Sequence, residues 1–290
     1  MSSLSPQKIQ KPFLKWAGGK TQLLSNILDK MPRHIQNYHE PFVGGGSVLF
    51  GILSSTDISI NGTIYASDSN PRLIQTYQCL QSHPNELINT LETLANEHIS
   101  SNDKEAHFYM VREAYNKNNT NSFEQVAQFI FLNKTCFRGL YREGPNGFNV
   151  PYGHYKTIAF PTTDHWLHLH HLLQRVQFEC CDFTTAFSRV VNQVTVPQDF
   201  VYMDPPYVPE TTTSFVKYNK DGFDKNQHTK LFQWIDTSHT HIMLSNAYVP
   251  LVTETFKKEK GYITEIVNAR RAIHSKNPDR KTQEVIITNY

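Results

Sequence analysis

The sequence predicts an α/β protein built on an open, mainly parallel sheet that carries a helical insertion, and three observations lead there. The apolar run Phe200-Val201-Tyr202-Met203 stops at Asp204-Pro205-Pro206-Tyr207. Prolines have no backbone donor and a fixed φ, so a buried strand must end at Asp204 and open into a rigid turn. Earlier in the chain, Glu40-Pro41-Phe42-Val43-Gly44-Gly45-Gly46-Ser47 leads into apolar Val48-Leu49-Phe50 and then Ile64-Tyr65-Ala66-Ser67-Asp68. That order is a glycine-rich turn, a helix and a strand closed by an acid, one half of a nucleotide-binding sheet. Between Pro71 and about Phe160 the apolar residues recur with helical spacing and no alternating strand pattern intervenes.

Taken in order, residues 1 to 11 are polar, and Pro12 to Lys20 leads into a helix whose apolar face is Leu23, Leu24, Ile27, Leu28 and Met31, stopped by Pro32. Gly19-Lys20-Thr21 is not a phosphate loop, because the first glycine of that motif would fall at Leu14. What remains is a glycine turn with Trp16 and Lys20 beside it, suited to a ring and an anionic group. Asp68 follows Gly46 by about 20 residues, the distance at which an acid meets a ribose diol. Leu49 occupies the place of the third glycine of a dinucleotide fingerprint. An adenosine-bearing cofactor without a pyrophosphate is therefore favoured over NAD.

In the insertion, Leu87, Ile88, Leu91, Leu94 and Ala95 form one apolar face, and Phe123, Val126, Ala127, Ile130 and Phe131 form another, with Ser122 and Gln125 as its capping box. The stretch Asn133 to Lys156 interleaves Arg and aromatic residues with glycine turns, a composition suited to base edges and to wedging into a stack. His165, His168, His170 and His171 read as one helix face, and no metal site is expected. Phe178 to Cys181 leads to Asp182-Phe183, His241 to Leu244 leads to Ser245-Asn246, and Val285 to Thr288 closes the chain. Tyr218 and Phe223 lie in a candidate lid loop, and Thr229 to Ile235 reads as a helix.

The Asp204 turn presents a hydrogen-bond acceptor and a stacking ring together. That combination suits a planar base with an exocyclic amine: Asp204 and the Pro205 carbonyl accept from it while Tyr207 stacks on the ring. Bulk properties exclude several classes. No apolar run approaches the ~20 residues of a membrane span. Cys79, Cys136, Cys180 and Cys181 show no CxxC spacing and no signal peptide precedes them, so reduced thiols in a cytoplasmic protein are expected. The net charge of +2 decides little, but residues 257 to 281 hold eight Lys/Arg against three acids. This basic segment is expected to meet phosphates.

Lys15-Trp16-Ala17-Gly18-Gly19-Lys20, Glu40 to Gly46, Phe148-Asn149-Val150-Pro151, Asp204 to Tyr207 and Arg270-Arg271-Ala272-Ile273 together resemble the Dam-type (D12 class, alpha group) DNA adenine-N6 methyltransferases, in the same order and over nearly the whole chain. The resemblance implies a Rossmann-like methyltransferase sheet from residues 1–70 and 161–290, with a helical target-recognition domain at 71–160. It implies S-adenosylmethionine as cofactor, held by Trp16, Lys20, Phe42, Gly44, Gly46, Asp68, Asp182, Phe183 and Asp204. Asp204, Pro205, Pro206 and Tyr207 would form the catalytic turn. Double-stranded DNA would be the partner, contacted by Lys15, Phe137, Arg138, Leu140, Arg142, Tyr155 and Arg271, with Phe137 inserting into the duplex and Arg142 reading a guanine. Arg138 stands where several members carry Asn, His154 where they carry Arg, and the hairpin between Arg142 and Phe148 is shorter. GATC is the expected target and a cognate restriction endonuclease a possible partner. Cytosine N4 in DNA and adenine in RNA are the competing substrates, since each presents a planar amine.

Overall fold

The first helix, α1 (Leu24–Lys30), turns Leu24, Ile27 and Leu28 inward at helical spacing. A computed structural model describes residues 9–117, 122–192, 198–209, 223–270 and 281–290. After α1 come β1 (His34–Ile35), β2 (Tyr38–Glu40), α2 (Ser47–Leu53), β3 (Ser59–Ile60) and β4 (Ile64–Asp68). Four helices follow: α3 (Pro71–Ser82), α4 (Pro84–Ser100), α5 (Lys104–Lys117) and α6 (Phe123–Thr135). Pro71 and Pro84 sit in first turns, where a missing N–H costs nothing. Ser122 caps α6 by accepting from Gln125 N, and the Gln125 amide also takes a hydrogen bond from Arg72.

A short hairpin, β5 (Glu143–Gly144) and β6 (Gly147–Phe148), precedes α7 (Thr163–Leu173), which carries the four clustered histidines. The chain then runs through β7 (Val176–Cys180), α8 (Phe183–Asn192), β8 (Phe200–Met203), α9 (Lys225–Thr237), β9 (His241–Ala247), α10 (Pro250–Thr255), β10 (Ile263–Arg270) and β11 (Lys281–Thr288). Helix α9 starts earlier than its apolar pattern, because Asp224 and Gln227 form a reciprocal capping box ahead of it. Strand β9 runs on through Ser245 and Asn246.

The main sheet has seven strands in the order β10-β11-β9-β8-β2-β4-β7. Strands β9, β8, β2, β4 and β7 are parallel, while β11 and β10 close one edge antiparallel. The chain winds from β2 to β4 and β7 on one side and returns to β8 and β9 on the other. The order therefore reverses between β2 and β8, the place in such sheets where ligands bind beyond the strand ends. Strand β8 shows why its sequence is uniformly apolar: Phe200 and Tyr202 enter one core, Val201 and Met203 the other, and all four are fully buried. Helix α3 covers β4 and β7, and α6 packs on α3, α4 and α5.

Among its described residues the basic segment proves to be largely strand. Residues 263–270 pair with β11 as the sheet edge, Lys260 pairs with Asp236, and Lys30 reaches Glu265. Its charge count concealed the strand, since only Tyr262 and Val267 among the described residues there turn inward. Arg271 to Arg280, the candidate DNA contact Arg271 included, and the lid residue Tyr218 lie outside the described residues.

One buried side chain ties the N-terminal segment to the helical region. Asn133, near the end of α6, accepts from Lys15 N at 2.9 Å and donates to Lys15 O at 2.8 Å and Gly139 O at 3.3 Å. Replacing Asn133 by Ala should lower stability by about 1–3 kcal/mol, because the Lys15 main chain loses both partners at once. A urea melt that leaves the midpoint unchanged would contradict this.

Candidate active site

The crevice is lined by four strand ends, and each supplies a group. After β2, Gly44 and Gly46 adopt φ values of 50° and 77°, conformations that side chains resist. Gly44 also packs on Trp16, where a Cβ would meet the indole at 3.3 Å. The turn is held from three directions: Gly44 N donates to Asp68 Oδ2 at 3.0 Å, Tyr77 Oη donates to Gly44 O at 2.7 Å, and Val43 N donates to Ser67 O at 2.9 Å. Asp68, at the end of β4, accepts from Asn70 N through its other oxygen, and burial raises its pKa.

Beyond β7, Asp182 caps α8 by accepting from Thr184 Oγ1 and Thr185 N, and these bonds lower its pKa. Phe183 stacks on Phe42 at 5.8 Å, and Phe223 completes an aromatic cluster with both. Trp16, Phe42, Gly44, Gly46, Asp68, Asp182 and Phe183 thus border the crevice on the β2, β4 and β7 side. The fit to an adenosine-bearing ligand is good: a side-chain-free turn, a strand-final acid and apolar rings lie together.

Beyond β8 lies a tightly held group. Lys20, itself buried, donates to Asp204 Oδ2 at 2.6 Å and to Gly18 O at 2.6 Å, and its ammonium sits 4.9 Å from the Tyr207 ring centre. The structure therefore sets Lys20 against the Asp204 turn. Asp204 Oδ1 is buried and has no hydrogen-bond partner among the described residues. Burial raises the Asp204 pKa to about 6, Lys20 pulls it down and Glu284 pushes it up. Pro205 is buried and Pro206 exposed.

Three further residues support the site. Glu284 of β11 accepts from Tyr207 Oη at 2.8 Å and fixes that ring. Asn246 of β9 accepts from Val208 N at 3.1 Å and holds the exit of the turn. Glu40 is fully buried, accepts from Tyr38 Oη at 2.7 Å, and burial lifts its pKa to about 8, so it is neutral at pH 7. Glu40 belonged to a motif visible in the sequence and Asn246 to a polar pair read at a strand end, whereas Glu284 is brought in by sheet order alone.

A second group of sequence-selected residues gathers on the loops after α6. Phe137 is 44% exposed, with the Arg138 guanidinium 5.2 Å from its ring centre, and Arg138 adopts φ 56°. Leu140 is partly buried against the core. Lys15 Nζ lies 4.4 Å over the Tyr155 ring. Phe137 N donates to Pro151 O and Gly153 N to Thr135 O, so the 136–142 and 149–155 stretches are laced together. Arg142 is exposed at the base of the β5–β6 hairpin.

The Asp204 titration is directly measurable. Carboxyl NMR should give Asp204 a midpoint near pH 6, moved down in Glu284→Gln and up in Lys20→Gln; an unmoved midpoint in both variants would refute this electrostatic assignment.

Comparison with known proteins adds relatives to this geometry. Residues 16–273 match the model of the D12 class N6 adenine-specific DNA methyltransferase. The chain is 38% identical to a Type II methyltransferase, M.MjaIII, of Methanocaldococcus jannaschii over 97% of this chain and 99% of that protein. It is 32% identical to the Type II methyltransferase M1.LlaDCHI of Lactococcus lactis over 100% and 99%. It is 30% identical to the DNA adenine methylase of Escherichia coli strain K12 over 98% and 96%.

Proposed function

Since the chain belongs to the D12 class of N6 adenine-specific DNA methyltransferases, we propose that it methylates adenine within GATC, with Asp204 as the group that receives the target amine. The reaction takes its methyl group from S-adenosylmethionine, which supplies an electrophilic carbon when bound. Trp16, Phe42, Gly44, Gly46, Asp68, Asp182 and Phe183 are the residues we assign to holding it, with Lys20 and Asp204 at its reactive end. Residues 1–70 and 161–290 form the catalytic part in this reading, and residues 71–160 the part that recognises the target.

The observation that carries the assignment is the buried Oδ1 of Asp204, which has no hydrogen-bond partner among the described residues. An orphaned carboxylate oxygen at a strand end costs free energy unless a ligand donates to it. An adenine amine is such a donor. The duplex hides that amine, so the base must be flipped out at a cost of a few kcal/mol, and Phe137 is the exposed ring available to fill the gap. Tyr207, oriented by Glu284, stacks on the flipped base. Asp204 Oδ1 and the Pro205 carbonyl accept from the amine and leave its lone pair directed at the methyl carbon. As positive charge develops on the nitrogen, the carboxylate opposite stabilises it. Lys20 fixes the other oxygen, so the acceptor does not rotate.

Arg142 is assigned to a guanine edge, with Lys15, Arg138, Leu140, Tyr155 and Arg271 as further DNA contacts. The GATC assignment draws on the position of Arg142 and Phe148-Asn149-Val150-Pro151 relative to Dam-type members. The Type II relatives support a companion restriction endonuclease directed at the same sequence, in the cytoplasm of a bacterial host or an infected cell.

Expression in a methylation-deficient host, followed by sequencing for N6-methyladenine, should show GATC methylated throughout; methylation of another palindrome would overturn the target while keeping the reaction. Asp204→Ala should reduce methyl transfer to background and leave S-adenosylmethionine binding partly intact by calorimetry. Full activity in that variant would sink the mechanism.

A further inference from the structure

Asn149 makes three hydrogen bonds to Arg142 across the foot of the hairpin. Its backbone N donates to Arg142 O at 3.1 Å, which sets the two residues opposite one another. Its Oδ1 accepts from Arg142 Nε at 2.5 Å, and its carbonyl accepts from Arg142 Nη2 at 3.4 Å. The hairpin is built around this contact. A Cβ on Gly144 would come within 2.7 Å of Asn149 Nδ2, so the amide packs against a position that has no side chain. One residue back, Asn116 of α5 clamps the Phe148 backbone, accepting from its N at 2.8 Å and donating to its O at 3.0 Å.

A guanidinium offers two usable edges: the side edge of Nε and Nη2, and the end formed by Nη1 and Nη2. Asn149 occupies the side edge. We propose that Asn149 is the positioning residue that makes Arg142 specific, holding its side edge so that guanine O6 and N7 are read by the Nη1/Nη2 end alone. The inference rests on Arg142 being a guanine contact. An exposed arginine otherwise loses much side-chain freedom on binding, and a fork already fixed at one edge meets a planar base with less to order. Asn149 thus acts through Arg142 and makes no base contact.

The test is a double-mutant cycle on a pool of duplexes with randomised positions around one adenine, methylated with S-adenosylmethionine and sequenced for N6-methyladenine. Arg142→Ala should flatten the preference for guanine at one position by about 5- to 150-fold. Asn149→Ala should flatten the same position by at least about fivefold, and the double variant should be no flatter than Arg142→Ala. Asn149→Asp keeps the acceptor oxygen and should restore the preference, which a contact to phosphate would not survive. Equal loss on every sequence with a shallower salt dependence in Asn149→Ala would make Asn149 a phosphate contact and overturn the inference. Additive effects in the double variant would overturn it too. A guanine preference that responds to Arg142→Ala and ignores Asn149→Ala refutes the positioning role alone, whereas indifference to Arg142→Ala removes the guanine contact and the inference with it.

Discussion

The ion pair between Lys20 and Asp204 is the constraint around which the site is arranged. A carboxylate at the end of a central strand has left water, and two further acids, Glu284 and Glu40, stand close enough to be felt. Lys20 offsets part of that cost through one oxygen only. Breaking a buried pair of this kind by removing one partner costs about 3–5 kcal/mol. The lysine therefore does two things: it keeps the acid ionised at neutral pH and leaves its second oxygen open. The neutral state of Glu40 matters here, because a second full negative charge would push Asp204 towards protonation and remove the acceptor.

Lys20 is delivered to this place by a segment that touches every functional part. Within six residues, Lys15 is gripped by Asn133 and lies over Tyr155, Trp16 packs on Gly44 and within 5.2 Å of Tyr141, and Lys20 reaches Asp204. A shift of this strap would disturb the loops after α6, the glycine turn and Asp204 together. Short covalent distance does the work that a domain interface does elsewhere. The strap also explains the glycines: Gly139 would place a Cβ within 2.5 Å of the Lys15 side chain.

Much of this was legible in the sequence, and the rest failed for identifiable reasons. The strand end at Asp204 was readable because two prolines and a run of four apolar residues leave one interpretation. The glycine turn, Asp68, and the apolar faces of α4 and α6 were readable for the same reason: each is a local pattern. Strand β2, although central, is only three residues long and hides in Tyr38-His39-Glu40, too short for any periodicity. Strand β10 turns few side chains inward and was read as charge. Glu284 reaches the turn from a strand far away in sequence, so nothing around it marks it, and Asn246 was marked only as a polar residue at a strand end. The Lys20 to Asp204 contact joins residues far apart in the chain, and in the sequence Lys20 itself pointed towards the cofactor.

The two ends of the site meet opposite physical demands. At Asp204 the polar groups are buried, where each interaction is strong and a small displacement is costly, as chemistry on a single nitrogen requires. At Arg142 the groups are exposed, where a single hydrogen bond is worth little against water. Discrimination there must come from geometry set in advance, which is why the hairpin is clamped by Asn116, trimmed to glycine at 144 and 147, and locked through Asn149. Burial fixes Asp204 and a backbone clamp fixes Arg142. The strap from Lys15 to Lys20 joins Asp204 to the loops after α6, so a displacement of one is felt at the other.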